Sequence, residues 1–210
     1  MMFDDDIERF EDREEAGKAL ALEIKKRKIK ADFIIALPRG GVPVGKVIAE
    51  ELHIPLRLCY VKKIGHPVNE EYAIGAVTEE DELIINNENI DEDYTNKKII
   101  GARLRIKEMK SRFGHHYDIN ELIDKIVILV DDGIATGICL KLAVTVMKKQ
   151  KAKKIIIATP VCAANTVNVM QEISDLFICL LQPQYFVGIG AYYNNFKQLT
   201  DKEVVSQLSS

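Results

Sequence analysis

Residues 127–137 read VILVDDGIATG: four apolar residues, two adjacent aspartates and a turn of small residues that closes on Thr136 and Gly137. Lys125 and Ile126 lead in, and Leu140, Ala143, Val144 and Met147 follow at the spacing of one helix face. A short apolar run beside a helix predicts a strand buried on both faces, as in a parallel sheet. The carboxyl end of such a strand opens into the crevice where α/β sheets take their ligands. Asp131 and Asp132 placed there repel each other and lose hydration unless a divalent cation or the hydroxyls of a polyol hold them. Beyond them Gly133, Ala135 and Gly137 leave the backbone unobstructed, so that its N–H groups can wrap an anion at the next helix start. The stretch therefore predicts acids for a sugar or metal, then amides for a phosphate.

The flanking chain predicts a doubly wound α/β fold with a mostly parallel sheet of about five strands. An amphipathic helix is expected over Phe10–Arg27, through Ala16, Ala19, Leu20 and Ile24. A strand over Ala31–Leu37, the turn Pro38-Arg39-Gly40-Gly41, a helix over Pro43–Leu52 and a strand over Pro55–Val61 form one βαβ unit. Lys62–Tyr72 is polar, contains Gly and Pro, and is expected to be a loop. Ala73–Thr78 and Glu82–Ile85 form a hairpin, and a long helix runs from an Asp91 cap to Gly114. A strand at Lys153–Thr159, a helix near Thr166–Ile173 and a strand at Asp175–Leu181 complete the pattern. The tail from Gln182 to Ser210 holds Tyr185, Phe186, Tyr192, Tyr193 and Phe196 with little periodicity. One domain over 1–210 is expected, with a core at about 30–181 and a small hood built from the 62–72 loop and the 182–210 flap.

Composition removes several function classes. Lys and Arg total 29 against 32 Asp and Glu, and a net charge of −3 argues against a nucleic-acid surface. No apolar run approaches membrane-spanning length, and the acidic start MMFDDDIERFEDREE has no apolar h-region, so neither a membrane nor a secretory role is expected. Four scattered cysteines without a CxxC predict reduced thiols in a cytoplasm.

Among phosphate-binding folds, the chain lacks GxGxxG and GxxxxGK[ST], and its acidic pair closes the third strand where a phosphorelay receiver would place it on the first. VILVDDGIATG, with PRGG after the first strand, resembles the phosphoribosyl-diphosphate (PRPP) motif and pyrophosphate loop of type I phosphoribosyltransferases. FEDREEAG, ALPRGGVPV, VKKIGHPVNEEYAIGAV and YYNNFKQLTDKEV extend the likeness to a bacterial branch of predicted phosphoribosyltransferases. The resemblance implies that Asp131 and Asp132 take the ribose hydroxyls and favour an oxocarbenium-like transition state. Gly133, Ile134, Ala135, Thr136 and Gly137 would cradle the 5′-phosphate. Arg39, with Gly40 and Gly41, would hold the pyrophosphate, and Lys62 or Lys63 would add charge when the 62–72 lid closes. Mg²⁺ is implied as cofactor, held mainly through substrate and water, with Asp131 or Asp132 as its protein contact. Partners implied are PRPP, pyrophosphate and a base-like acceptor, and a homodimer is expected because dimers are common in the family.

Two departures bear on the acceptor. Cys139 stands where many members carry a second Thr, and Ala135 stands where the hypoxanthine/guanine branch has an acid that shuttles a proton. Several other residues carry bland readings. Asp12 and Arg13 fit the branch pattern and, equally, a local ion pair at a helix start, Glu70 and Glu71 fit surface charge, a helix start or a lid, and His115 and His116 follow a helix end. Tyr192, Tyr193 and Phe196 fit either a base platform or flap packing, the second being favoured. The rival to an enzyme is a PRPP- or nucleotide-sensing module without turnover. A phosphohydrolase acting on ribose 5-phosphate esters is the third reading.

Overall fold

The computed structural model describes residues 8–68, 73–78, 83–85, 90–114, 117–118 and 120–209. Its first elements are helix α1 (Arg13–Lys26), strand β1 (Phe33–Ala36), helix α2 (Gly41–Leu52) and strand β2 (Leu56–Leu58). Strands β3 (Val61–Gly65), β4 (Ala73–Thr78) and β5 (Leu83–Ile85) follow, and then helix α3 (Glu92–Phe113). The chain continues through β6 (Ile126–Val130), α4 (Ile138–Lys149), β7 (Lys154–Val161), α5 (Ala164–Ile173) and β8 (Leu176–Leu181). A 3-10 turn at Ile189–Tyr192 and helix α6 (Asp201–Ser209) complete it.

Five strands pair in the order β2-β1-β6-β7-β8, every pair parallel. Their side chains alternate between two apolar layers. Ile34, Ile128 and Ile156 meet Leu20, Ile24, Val44 and Ile48 of α1 and α2 on one face. Ile35, Leu129 and Ile157 meet Leu142, Val144, Met147 and Met170 of α4 and α5 on the other. The helix after β1 thus lies on one side and the helix after β6 on the other, and β1 and β6 are neighbours. That is the switch point at which open α/β sheets form a ligand crevice. Ala36 stands in register with Val130, so the turns that follow the two strands emerge side by side.

The second sheet is a three-stranded antiparallel meander, β3-β4-β5, lying against α3 and α4. It corrects the expectation of a loop over Lys62–Tyr72. Residues 62–65 belong to β3, because every residue of β4 is buried and β3 completes its ladder. Residues 69–72, with Glu70 and Glu71, lie outside the described residues, as do His115 and His116. The strand expected over Pro55–Val61 is likewise divided, with β2 ending at Leu58 and β3 opening the other sheet at Val61. The tail contains a helix that periodicity did not reveal. Val204 is the one buried residue in α6, sealed against Ala36, Leu58, Tyr60 and Met109. Among the described residues no helix is long and apolar enough to cross a membrane.

Leu20 is fully buried at the centre of the layer that fixes α1 over the sheet. Leu20→Ala should cost about 2–5 kcal/mol in urea unfolding, as transfer plus cavity terms require. A loss below about 1 kcal/mol would mean that α1 does not depend on this contact.

Candidate active site

At the carboxyl edge of the sheet the turn after β1 touches the acid pair directly. A Cβ on Gly40 would fall 2.1 Å from Asp132 Oδ2, and one on Gly41 would fall 2.7 Å from the Val130 carbonyl oxygen. The turn needs glycine here because the backbone runs against the carboxylate. Leu37 N–H donates to the Val130 carbonyl at 3.0 Å and Gly41 N–H to the Leu37 carbonyl at 3.0 Å, which locks the turn beside β6. The Pro38–Arg39 peptide is cis.

The two aspartates occupy different situations. Asp132 is 7% exposed and accepts a hydrogen bond from Arg13 Nε at 2.8 Å. Its carbonyl accepts from the Tyr193 hydroxyl at 2.6 Å. Arg13 also donates to the Lys197 carbonyl at 3.0 Å and lies 3.9 Å above the Phe196 ring. Asp131 accepts from the Asp132 amide at 2.9 Å, and among the described residues no ion pair reaches it. Burial, reinforced by the Asp132 charge, pushes the Asp131 carboxyl well above its usual range. Burial raises Asp132 as well, with the Arg13 charge and hydrogen bond opposing it. Asp131 is therefore the less compensated of the two acids.

The loop beyond the acids is pinned at one residue and open at others. Ile134 N–H donates to the Val161 carbonyl and the Ile134 carbonyl accepts from Ala163 N–H, each at 2.9 Å. Its side chain is buried, so Ile134 anchors the loop and has no amide to spare for a ligand. Ala135 and Thr136 are exposed. Gly137 adopts a left-handed φ of 71°, where a Cβ would also strike the Met170 methyl. No side chain caps α4, whose first amides lack intrahelical partners as in any α-helix. Burial first, with the Asp131 charge, pushes the Cys139 thiol up to about 12, so it stays neutral.

The cations gather on the other flank. Arg39 Nη1 stands 3.5 Å from Asp201 Oδ1, which also takes Arg105 Nη2 at 2.6 Å, while Asp201 Oδ2 takes Arg112 Nη1 at 3.1 Å. Lys62 is half-buried on β3, and burial, followed by the charges of Arg39 and Arg105, lowers its amine below the ordinary lysine range. Lys63, one residue on, is exposed. The structure therefore brings Asp131, Asp132, Gly40 and Gly41 together at one edge, with Arg39 and Lys62 beside Arg105.

Sequence reasoning missed Arg13, Arg105 and Asp201. Asp12 is the N-cap of α1, accepting from the Glu14 and Glu15 amides, and Arg13 does not pair with it. The only signal for Arg13 was its place within FEDREEAG. The tail aromatics pack on one another, with Tyr193 and Phe196 rings 5.0 Å apart and Phe10 beside Tyr193, so Tyr192 and Tyr193 are flap core.

A doubly wound sheet with an acid pair, an open helix start and a cation-bearing turn at its switch point has the crevice in which α/β folds take their ligands. Residues 5–190 match the phosphoribosyl transferase domain family, and the chain belongs to that family. A Mycobacterium tuberculosis protein provisionally named a phosphoribosyl transferase is 33% identical over 204 residues, known from strains CDC 1551 and H37Rv. That alignment covers 95% of this chain and 46% of the relative, so the chain spans about half the relative's length. The crystal structure of TT1426 from Thermus thermophilus superposes with a TM-score of 0.76 at 30% identity, covering 95% of this chain and 97% of that one.

The raised Asp131 carboxyl carries a stability consequence. The folded chain disfavours the ionised form, so stability is lost as pH rises from the unfolded carboxyl range through the folded value. Asp131→Asn should match the parent melting temperature at about pH 3.5 and exceed it increasingly towards pH 8, each 1 kcal/mol of relief reading as roughly 2–4 °C. Equal melting temperatures at pH 8 would mean that the Asp131 charge is compensated after all. Arg13→Met should do the reverse, costing about 3–5 kcal/mol at pH 7 because it leaves Asp132 buried without its cation. A cost under about 1 kcal/mol in denaturant unfolding would show that the pair is not a keystone.

Proposed function

We propose that this chain transfers the ribose 5-phosphate of PRPP to a base-like acceptor and releases pyrophosphate. The observation that carries the reading is Asp131, a carboxylate that no ion pair among the described residues reaches, between the Gly40–Gly41 turn and the open start of α4. Burying such a group is costly, and a protein that keeps one at a crevice is equipped to bind a partner there. Ribose hydroxyls supply hydrogen-bond donors to it, and a cationic anomeric carbon supplies charge. The exposed Ala135–Thr136 loop and the first amides of α4 then fall to the 5′-phosphate, and Arg39 with Lys62 to the diphosphate.

In the reaction the C1′–oxygen bond to pyrophosphate breaks and its electron pair leaves with the diphosphate, while an acceptor nitrogen supplies the pair for the new bond and then loses its proton. Asp131 and Asp132 stabilise positive charge on the ribose as it develops, and Arg39 and Lys62 stabilise negative charge on the leaving group. The residues fit Mg²⁺ in one respect, since no ion pair among the described residues reaches the Asp131 carboxylate. The ion would be carried in on diphosphate oxygens and water, with Asp131 or Asp132 as its protein contact. When bound, Mg²⁺ would neutralise diphosphate charge. On the acceptor side Ile189 packs on Gly133, and the segment before it leaves Tyr185 93% exposed and Val187 79% exposed. An exposed ring suits a planar acceptor.

With PRPP, Mg²⁺ and a panel of nucleobases, pyrophosphate release should appear with at least one base and fall on the order of 10²–10³-fold in Asp131→Asn. PRPP at about 100 times its Kd should add about 2.7 kcal/mol of stability. If no acceptor releases pyrophosphate but PRPP stabilises the chain and stays intact for hours, a sensing module replaces the transferase. If PRPP leaves the melting temperature unchanged, both readings fail.

A further inference from the structure

Asp201 lies far along the chain from the acid pair and the Arg39 turn, yet its carboxylate is the point on which three guanidinium groups converge. Arg39 comes from the turn after β1, Arg105 and Arg112 from α3, and the carboxylate from the first residue of α6. We propose that Asp201 is a built-in counter-anion of the diphosphate site, occupying the position of a phosphoryl oxygen, and that substrate or product diphosphate binds by displacing it onto solvent and taking over Arg39, Arg105 and Arg112. The inference rests on the transferase reading and adds two phosphate ligands and a competitor to it.

Three observations support it. The first is charge. Among the described residues Arg39, Lys62, Arg105 and Arg112 are four cations facing two carboxylates, Asp201 and the Glu108 that Arg105 also contacts at 3.1 Å, which leaves a surplus of two positive charges. A single carboxylate does not saturate this neighbourhood, and a diphosphate offers more charge and more oxygens to the same forks.

The second is geometry. Arg105 and Arg112 hold Asp201 at normal ion-pair distances, but Arg39 reaches it only at 3.5 Å, beyond the range of a good hydrogen bond. Arg39, the residue next to Gly40 and the acid pair, is therefore the least committed of the three. A diphosphate bound at the turn meets Arg39 first and the Asp201 partners next.

The third is the cost of moving Asp201. Helix α6 does not depend on that carboxylate for its place. Val204 is fully buried against β1, β2 and α3 side chains, and Lys46 Nζ donates to the Gln207 carbonyl at 2.7 Å. Thr200 and Glu203 cap the helix reciprocally, with Thr200 N–H on Glu203 Oε2 at 2.7 Å and Glu203 N–H on Thr200 Oγ1 at 3.3 Å. A side-chain rotation at the first helical residue releases the guanidinium groups while the helix stays seated.

Pyrophosphate binding to the full chain and to Asp201→Asn and Arg105→Gln, followed by titration calorimetry with and without Mg²⁺, tests the proposal. Asp201→Asn should bind pyrophosphate about tenfold tighter than the parent and Arg105→Gln about tenfold weaker, the size of one charge-assisted hydrogen bond made or broken. If Asp201→Asn binds pyrophosphate equally or more weakly, with a lowered melting temperature, Asp201 is a staple between α3 and α6 and the proposal is overturned. If Arg105→Gln leaves the affinity unchanged, Arg105 is no phosphate ligand and the proposal is likewise overturned. Should the parent and Asp201→Asn ignore pyrophosphate while PRPP still raises the parent's melting temperature, the counter-anion idea falls and the transferase reading stands. Should neither ligand bind either protein, both fall.

Discussion

The rest of the site depends on one buried ion pair, between Arg13 at the start of α1 and Asp132 at the end of β6. Two adjacent carboxylates at the end of a strand buried on both faces repel each other in a medium that solvates neither. Arg13 makes the arrangement tolerable by holding one of them at 2.8 Å, with both side chains about 10% exposed. The same guanidinium lies on Phe196 and donates to the Lys197 carbonyl, and Tyr193 donates to the Asp132 backbone. Segments near both ends of the described chain are thereby tied to the middle of the sheet through one cation. A buried pair adds little net stability over an apolar equivalent, but losing one partner is expensive, so its value here is in fixing geometry.

That tie makes the two acids unequal. Asp132, held from behind by Arg13, also positions the turn that rests on it, and Asp131 faces the crevice with less compensation. The small-residue turn then has a physical explanation beyond turn chemistry. Gly40 has no side chain because Asp132 occupies the space its Cβ would need, so the Arg39–Gly41 turn and the acid pair form one unit. The register of Ala36 with Val130 sets that unit, and register is secured by apolar contacts on both faces of the sheet.

The parts legible in the sequence were those that local pattern determines. Apolar runs marked β1, β6, β7 and β8, helical stripes marked α1 to α5, and Asp91 and Gly114 marked the ends of α3 as the structure has them. The acid pair, Arg39 and the glycines stood out because their chemistry is contiguous with those elements. What was illegible depends on distance. Arg13 meets Asp132 across 119 residues, Arg105 meets Asp201 across 96, and Arg39 meets Asp201 across 162, and no spacing rule reaches that far. Strand β3 was obscured because its two lysines and the following Gly65 look like a loop until β4 supplies its ladder. Helix α6 buries only Val204, too little for a periodic signal.

The long-range pairs also answer a problem that the motifs create. Acids and bases stand within one crevice here, on turns that touch. Left alone, Arg39 and Asp132 would reach neutrality most directly by pairing with each other, since Gly40 already rests on the Asp132 carboxylate. Such a pair would close the crevice and consume both groups. Instead each is drawn outward: Asp132 backwards onto Arg13, and Arg39 sideways towards Asp201. The two contacts differ in strength in the sense that this requires. The Arg13 pair is short and buried, suited to a group that is not to move. The Arg39 contact is long and partly exposed, and holds its group less firmly. Opposite charges can thus stand next to one another in the crevice without cancelling, because residues recruited from distant parts of the chain hold them apart.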